Sequence, residues 1–299
     1  MTAPSQHRDR VSPRQQANWD WRAACNFIAG GTGGGLLLWA ALEAMLGGDV
    51  RPLMGSGLAL IGFGLACVWF EIGRPWRALN TFRHLSSSWM TREASVAVLL
   101  FVSGILALWS GQSALIGTTA LLGLAFVYAQ ARILAANKGI PVWRHPRCLP
   151  LMLVTGLTEG LGLLVCADWL YPQPPQPLFA DYLLAVFAAL RFLAWRRYRS
   201  ALAKDGAPAG SIKALRAIEA EFVWVGSALP AMLALVAGMS GLAAPAAVAG
   251  VLAAVTGWRF KYTLICEAAF TQGFTLPKRP VRGRAMVPKH ENRQGQPLG

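Results

Sequence analysis

Eight apolar runs, each nearly free of charge, divide this chain, and they constrain its fold more than any other feature. They fall roughly at 24–46, 53–70, 94–111, 113–135, 149–169, 180–197, 222–239 and 242–268. Runs of about 18 residues or more cross a bilayer as helices, whose backbone hydrogen bonds are all satisfied internally. The expected fold is therefore all-α: a polytopic integral membrane protein with eight transmembrane helices. A composition that is 55% apolar and 14% charged, with a mean hydropathy of +0.41, agrees with it. The 299 residues would permit two soluble domains. The pattern instead gives a tail at 1–22, a membrane domain at 23–270 and a basic tail at 271–299.

The net charge of +14 raises nucleic acid as a partner, but the placement of the charge argues against it. Of 28 Lys and Arg, 24 fall in the two tails or in alternate loops. Arg8, Arg10, Arg14 and Arg22 precede the first run, and Arg74, Arg77, Arg83 and Arg92 follow the second. Further groups stand at 132–147, 196–216 and 278–293, whereas the opposite loops hold only Arg51. By the positive-inside rule, both termini and the even loops are expected to be cytoplasmic, which requires an even number of spans. Inner (cytoplasmic) membrane is the expected location, with the partner-docking face inside. Residues 1–22 are polar, carry both charge signs and read as a tail, not a cleavable signal peptide. The five cysteines are scattered without a CxxC, so no iron–sulfur cluster or structural metal is expected in this chain.

One short stretch breaks the apolar pattern. EIGRPWRALNTFRHLSSSWMTRE (71–93) joins the second and third runs and concentrates two Glu, four Arg, a His, an Asn and two Trp. Gly73 and Pro75 end the preceding helix. Interfacial anchoring accounts for the arginines and for Trp76 and Trp89. It accounts less well for Glu71 and Glu93, carboxylates at the acyl boundary that are costly unless paired or used.

The stretch resembles the anchor subunits of dimethyl-sulfoxide-reductase-type complexes. The resemblance is carried by Glu71-Ile72-Gly73-Arg74-Pro75, Arg77 to Asn80, Ser88-Trp89 and Arg92-Glu93, and by ARILAANKGIPVW (131–143). It covers most of the chain between about residues 20 and 270. The head of the chain, QANWDWRAACNFIAGGTGGGL (16–36), is similar to the membrane subunits of phenylacetyl-CoA:acceptor oxidoreductase. The resemblance implies a quinone-reactive subunit of a complex iron–sulfur molybdoenzyme. Its partners would be an iron–sulfur subunit and a catalytic subunit carrying a molybdenum or tungsten pterin. Where the family has a histidine before x-Gly-Arg-Pro, this chain has Glu71, so either Glu71 takes the proton role or His84 supplies an imidazole.

Quinone turnover moves two electrons and two protons, so its site needs proton-exchanging groups at the membrane boundary, where an apolar tail enters from lipid. Glu71 and Glu93 are the expected proton exchangers, Arg74 and His84 the donors to the quinone oxygens, and Trp89 a wall against the ring. Asp20, Arg22 and Asn26, at the start of the first helix, are candidates for the same cavity, with anchoring as the equal alternative. A haem is not expected, because His7, His84, His145 and His290 all lie in tails or loops and none in a span.

Other polar features have simpler readings. GGTGGG (30–35) lies inside an apolar run and suits close helix packing better than phosphate binding. Glu159, Arg191, Arg259 and Lys261 lie within spans and form either a proton path or ion pairs that fix helix contacts. An eight-helix transporter with no redox partner is the alternative function. It would place its polar residues near the midplane in two corresponding halves, and no internal repeat is visible.

Overall fold

The computed structural model describes residues 10–71, 88–171 and 179–275. Long helical rods run back and forth between two faces: α1 (Trp21–Met45), α2 (Arg51–Glu71), α3 (Trp89–Ser110), α4 (Ser113–Ala136), α6 (Cys148–Leu170) and α7 (Phe179–Lys204). A π-helical segment, Glu221–Ala228, continues as α9 (Leu229–Ser240), and α10 (Ala243–Tyr262) ends in a second one, Thr263–Glu267. Short α5 (Pro141–Arg144) and α8 (Ala209–Ala217) lie on the connections. Tight reversals follow α3 and α9 at Gly111 and Gly241, whose φ of 67° and 70° suit residues without a Cβ.

Seven rods among the described residues are long and apolar enough to cross a membrane. The exception is α7, expected as the sixth span. It has 26 residues but carries Asp181, Arg191, Arg196 and Arg197 over the expected stretch. Many exposed side chains of the rods are apolar, among them Leu99, Val102, Leu121 and Val251, the reverse of a soluble bundle.

At the centre is α1, packed against α2, α4, α6 and α10. Its glycine run makes this possible. A Cβ at Gly33 would strike Gly57 and Ile61 of α2, one at Gly34 would strike Gly123 and Val127 of α4, and one at Gly35 would strike Gly156 of α6. Backbone contact of this kind is how helices associate when lipid removes the hydrophobic drive. Trp39 fixes the α1–α6 pair further by donating Nε1–H to the Leu157 carbonyl at 2.8 Å.

The two ends of the helical domain meet on one face. Gln16 donates its amide to Ala269 at 2.8 Å, Thr271 donates to Arg14 at 2.8 Å, and β1 (Arg10–Val11) pairs antiparallel with β2 (Phe274–Thr275). The sequence gives no sign of this clasp, because two-residue strands carry no periodicity. The same face holds an aromatic core of Phe27, Trp143, Trp195, Tyr198, Phe222 and Phe260.

Candidate functional site

Ser88 starts α3 ahead of the apolar run by accepting the Thr91 amide at 3.4 Å. Glu93 therefore lies one turn inside the helix, facing inward, and is only 7% exposed. Asn26 of α1 donates Nδ2–H to its Oε1 at 3.2 Å. Gln130 of α4 donates Nε2–H to the Asn26 carbonyl at 2.8 Å. Asn26 Oδ1 and Gln130 Oε1 are buried without a hydrogen-bond partner among the described residues. Two orphaned acceptors beside a carboxylate are costly unless a donor arrives.

Glu93 and Asn26 form the polar edge of a cavity of about 170 Å³. Its other walls are apolar: Trp19, Ala23 and Phe27 from the first helix and the residues before it, Val68 of α2, Met90 of α3 and Ile133 of α4. Trp19 is held in place by stacking on Trp143 with ring centroids 4.9 Å apart. Trp143, on α5, is in turn anchored by donating to the Leu264 carbonyl at 2.8 Å. The cavity lies at the end of the bundle where residues 10–16 pair with 269–275.

Deeper in the bundle is a second carboxylate. Glu159 of α6 and Lys261 of α10, both fully buried, form an ion pair with Nζ 2.5 Å from Oε2. Thr32 donates to the same oxygen at 2.7 Å, and Trp258 donates Nε1–H to Thr32 at 2.9 Å. Arg191, also buried, donates to the Ala253 carbonyl at 2.7 Å and to Thr256 at 3.2 Å, with Phe222 under its guanidinium. The two clusters approach each other at Gly31, where a Cβ would strike Lys261 Nζ and lie 3.9 Å from Gln130 Oε1.

A sequence model of the DMSO reductase anchor subunit (DmsC) family matches residues 36–191, more than half of the chain. The chain belongs to that family. A search of curated proteins gave no match. As a DmsC-family anchor it is a multi-pass membrane subunit that associates with the catalytic and electron-transfer subunits of a DMSO-reductase-type complex. The match supports the anchor-subunit family and not the phenylacetyl-CoA:acceptor oxidoreductase subgroup. Glu93, Gln130 and Glu159 fall inside the matched range, whereas Trp19, Asn26 and Lys261 fall outside it.

Of the residues expected from the anchor's sequence to form a site, the structure brings Asn26 and Glu93 together at the cavity. Glu71 is the last residue of α2, and only its backbone is described; Arg74 and His84 lie outside the described residues. Trp89 stands beside the cavity, not in its wall. Its ring is covered by the guanidiniums of Arg92 at 4.4 Å and Arg132 at 4.7 Å and meets Tyr128 edge-on. Arg22 grips both carboxylate oxygens of Asp20 and reaches the Phe70 carbonyl at 3.2 Å, joining α1 to α2. The Arg22 side chain and amide hold the Asp20 carboxyl below its ordinary range.

Trp19 in the cavity wall and Gln130 behind Asn26 are residues of the site that sequence reasoning passed over. Gln130 had a signal, a lone amide inside an apolar run. Trp19 had none, since tryptophan at a membrane boundary reads as belt.

Proposed function

We propose that this anchor is the quinone-reactive subunit of an iron–sulfur molybdoenzyme complex and that the Glu93 cavity receives the quinone ring. The observation carrying this reading is a buried carboxylate with amide partners at the edge of an otherwise apolar cavity near the end of the bundle. The residues fit the group. Unpartnered Asn26 Oδ1 can accept from a quinol hydroxyl, and the Asn26 amide and Glu93 lie together at one edge. Phe27, Trp19 and Ile133 suit a flat apolar ring. When bound, a quinone supplies two-electron, two-proton chemistry. Glu93 is the group that exchanges protons with it, and Asn26 orients Glu93 and the ring oxygen. Glu71, Arg74 and His84 are the candidates to complete the pocket from residues 71–87.

The reading gives the anchor no haem and no cluster of its own, since its histidines lie outside the spans. Electrons pass between quinone and an iron–sulfur subunit on the basic face, which links to a molybdenum or tungsten pterin subunit. The pairing of residues 10–16 with 269–275 on one face favours an even number of crossings, so α7 is the eighth crossing helix. The 24 basic residues of the tails and even loops favour the cytoplasm for that face of the inner membrane.

The test is Glu93→Gln, which keeps the shape and removes the exchangeable proton. Quinol-linked turnover of the assembled complex should fall by about a hundredfold or more, the usual range for a positioned acid–base group. Reduction of a soluble dye by the partner subunits should persist. Unchanged quinol turnover and unchanged inhibition by quinone analogues would move the site elsewhere.

A further inference from the structure

A second cavity is unrelated to Glu93. It is a groove of about 840 Å³ on the lipid-facing side, between α7 and the π-helical segment that leads into α9. Ala189, Phe192, Val223 and Ala231 make its floor, and Arg196, Arg216 and Glu219 stand at one end. That end is the basic face, because α7 there carries Tyr198, whose hydroxyl donates to the Val142 carbonyl at 2.7 Å. Glu219 is already paired, accepting from Arg199 at 3.4 Å. Arg196 and Arg216 are exposed and have no ion-pair partner among the described residues. The two meet at the groove's mouth from different elements, α7 and α8.

The length of the groove is informative. From Glu219 to Ala231 is twelve residues, roughly 18 Å at 1.5 Å per residue. That is about one leaflet of a hydrocarbon core some 30 Å thick. The unusual winding helps to make the space. In the π-helical segment Ser227 donates its hydroxyl to the Phe222 carbonyl at 2.9 Å, five residues back. Phe222 and Gly226 face inward against Arg191 and Thr256, which leaves Val223 and Ser227 on the groove side.

We propose that this groove binds an anionic phospholipid from the leaflet on the basic side, with Arg196 and Arg216 holding its phosphate and an acyl chain lying along Ala189, Phe192, Val223 and Ala231. Two unpaired guanidiniums at the headgroup level supply the charge complementarity, and an apolar channel one leaflet deep supplies the match in length. A neutral quinone brings no charge to balance the two guanidiniums at the mouth.

The test uses the whole complex, purified in mild detergent, stripped of lipid and titrated by native mass spectrometry. The probes are phosphatidylglycerol, phosphatidylcholine with the same chains, inorganic phosphate and a short-chain ubiquinone. Phosphatidylglycerol should bind in preference to the other three. Arg196→Gln with Arg216→Gln should weaken that binding roughly thirtyfold, from about a kilocalorie per basic residue at a membrane surface. Ala189→Phe, which fills the floor and leaves both arginines, should also abolish it, separating a lipid site from a phosphate site. Equal binding of phosphatidylcholine, displacement by inorganic phosphate alone, preference for ubiquinone, or undiminished phosphatidylglycerol binding in the double variant would each overturn the proposal.

Discussion

Glu93 and Glu159 are both buried carboxylates in one bundle, yet their neighbours differ in kind. Glu159 has a cation against it, Lys261 at 2.5 Å, with Thr32 hydrogen-bonded to the same oxygen and close-packed glycines around it. Glu93 has the neutral amide of Asn26 at 3.2 Å in place of a cation and borders a cavity. A charge locked to a counter-charge in a packed interior holds helices in register. A carboxylate with neutral partners, next to space at the bundle's end, can gain and lose a proton as a ligand does. Burial alone does not separate the two roles, whereas partner and access do.

The largest effect should come from breaking the deep pair. Lys261→Met leaves Glu159 buried without its cation, and removing one partner of a buried pair costs about 3–5 kcal/mol. The assembled anchor should be lost or should unfold at markedly lower temperature in detergent. Replacing both, Lys261→Met with Glu159→Leu, should restore most of that stability. Turnover per assembled double-variant complex should match the parent. If the double variant is stable but cannot turn over quinol, Glu159 belongs with Glu93 and the comparison fails.

Next is the reverse profile at Glu93. Glu93→Gln should leave the unfolding temperature within a few degrees while quinol turnover drops by about a hundredfold. Loss of stability without a selective loss of turnover would make Glu93 a second structural carboxylate.

The fold was legible from the sequence where physics acts over long stretches. Apolar runs predicted the rods, and the glycine run predicted the tight packing of α1. The site was legible only in part. Glu93 and Asn26 stood out because polar groups near a bilayer are costly. That they meet depends on α4 packing against both α1 and α3, which no periodicity encodes. The α7 rod escaped the membrane criteria because its arginines dilute it, and Arg191 is tolerated there only through Ala253, Thr256 and Phe222. The start of α3 was missed because Ser88, not hydrophobicity, sets it.

A smaller change should follow at Asn26. Asn26→Ala removes the donor to Glu93 but keeps the backbone carbonyl that Gln130 uses. A hydrogen bond to a carboxylate is worth about 1.5–3 kcal/mol, so a quinone-analogue inhibitor should bind at least about tenfold more weakly. Inhibitor titration of membranes reads this directly, and unchanged affinity would remove the polar edge of the cavity from the site.

The smallest effect belongs to Asp20, which caps α1 by accepting from the Arg22 amide at 2.8 Å and steers Arg22 toward the end of α2. Both groups are partly exposed, so the pair is solvent-screened and its contribution is slight. Asp20→Asn keeps a capping oxygen and removes the charge. The folded carboxyl titrates below its ordinary value of 3.8, through hydrogen bonds from the Arg22 side chain and amide. Its contribution is therefore present above that value and lost as pH falls through the lowered one. Parent and variant should differ by a small shift in unfolding temperature at pH 7, and the shift should vanish at strongly acidic pH. Quinol turnover should be the same in both, because Asp20 and Arg22 join α1 to α2 and do not line the cavity. A fall in turnover with no change in stability would instead put this pair beside Glu93 on the working side of the comparison.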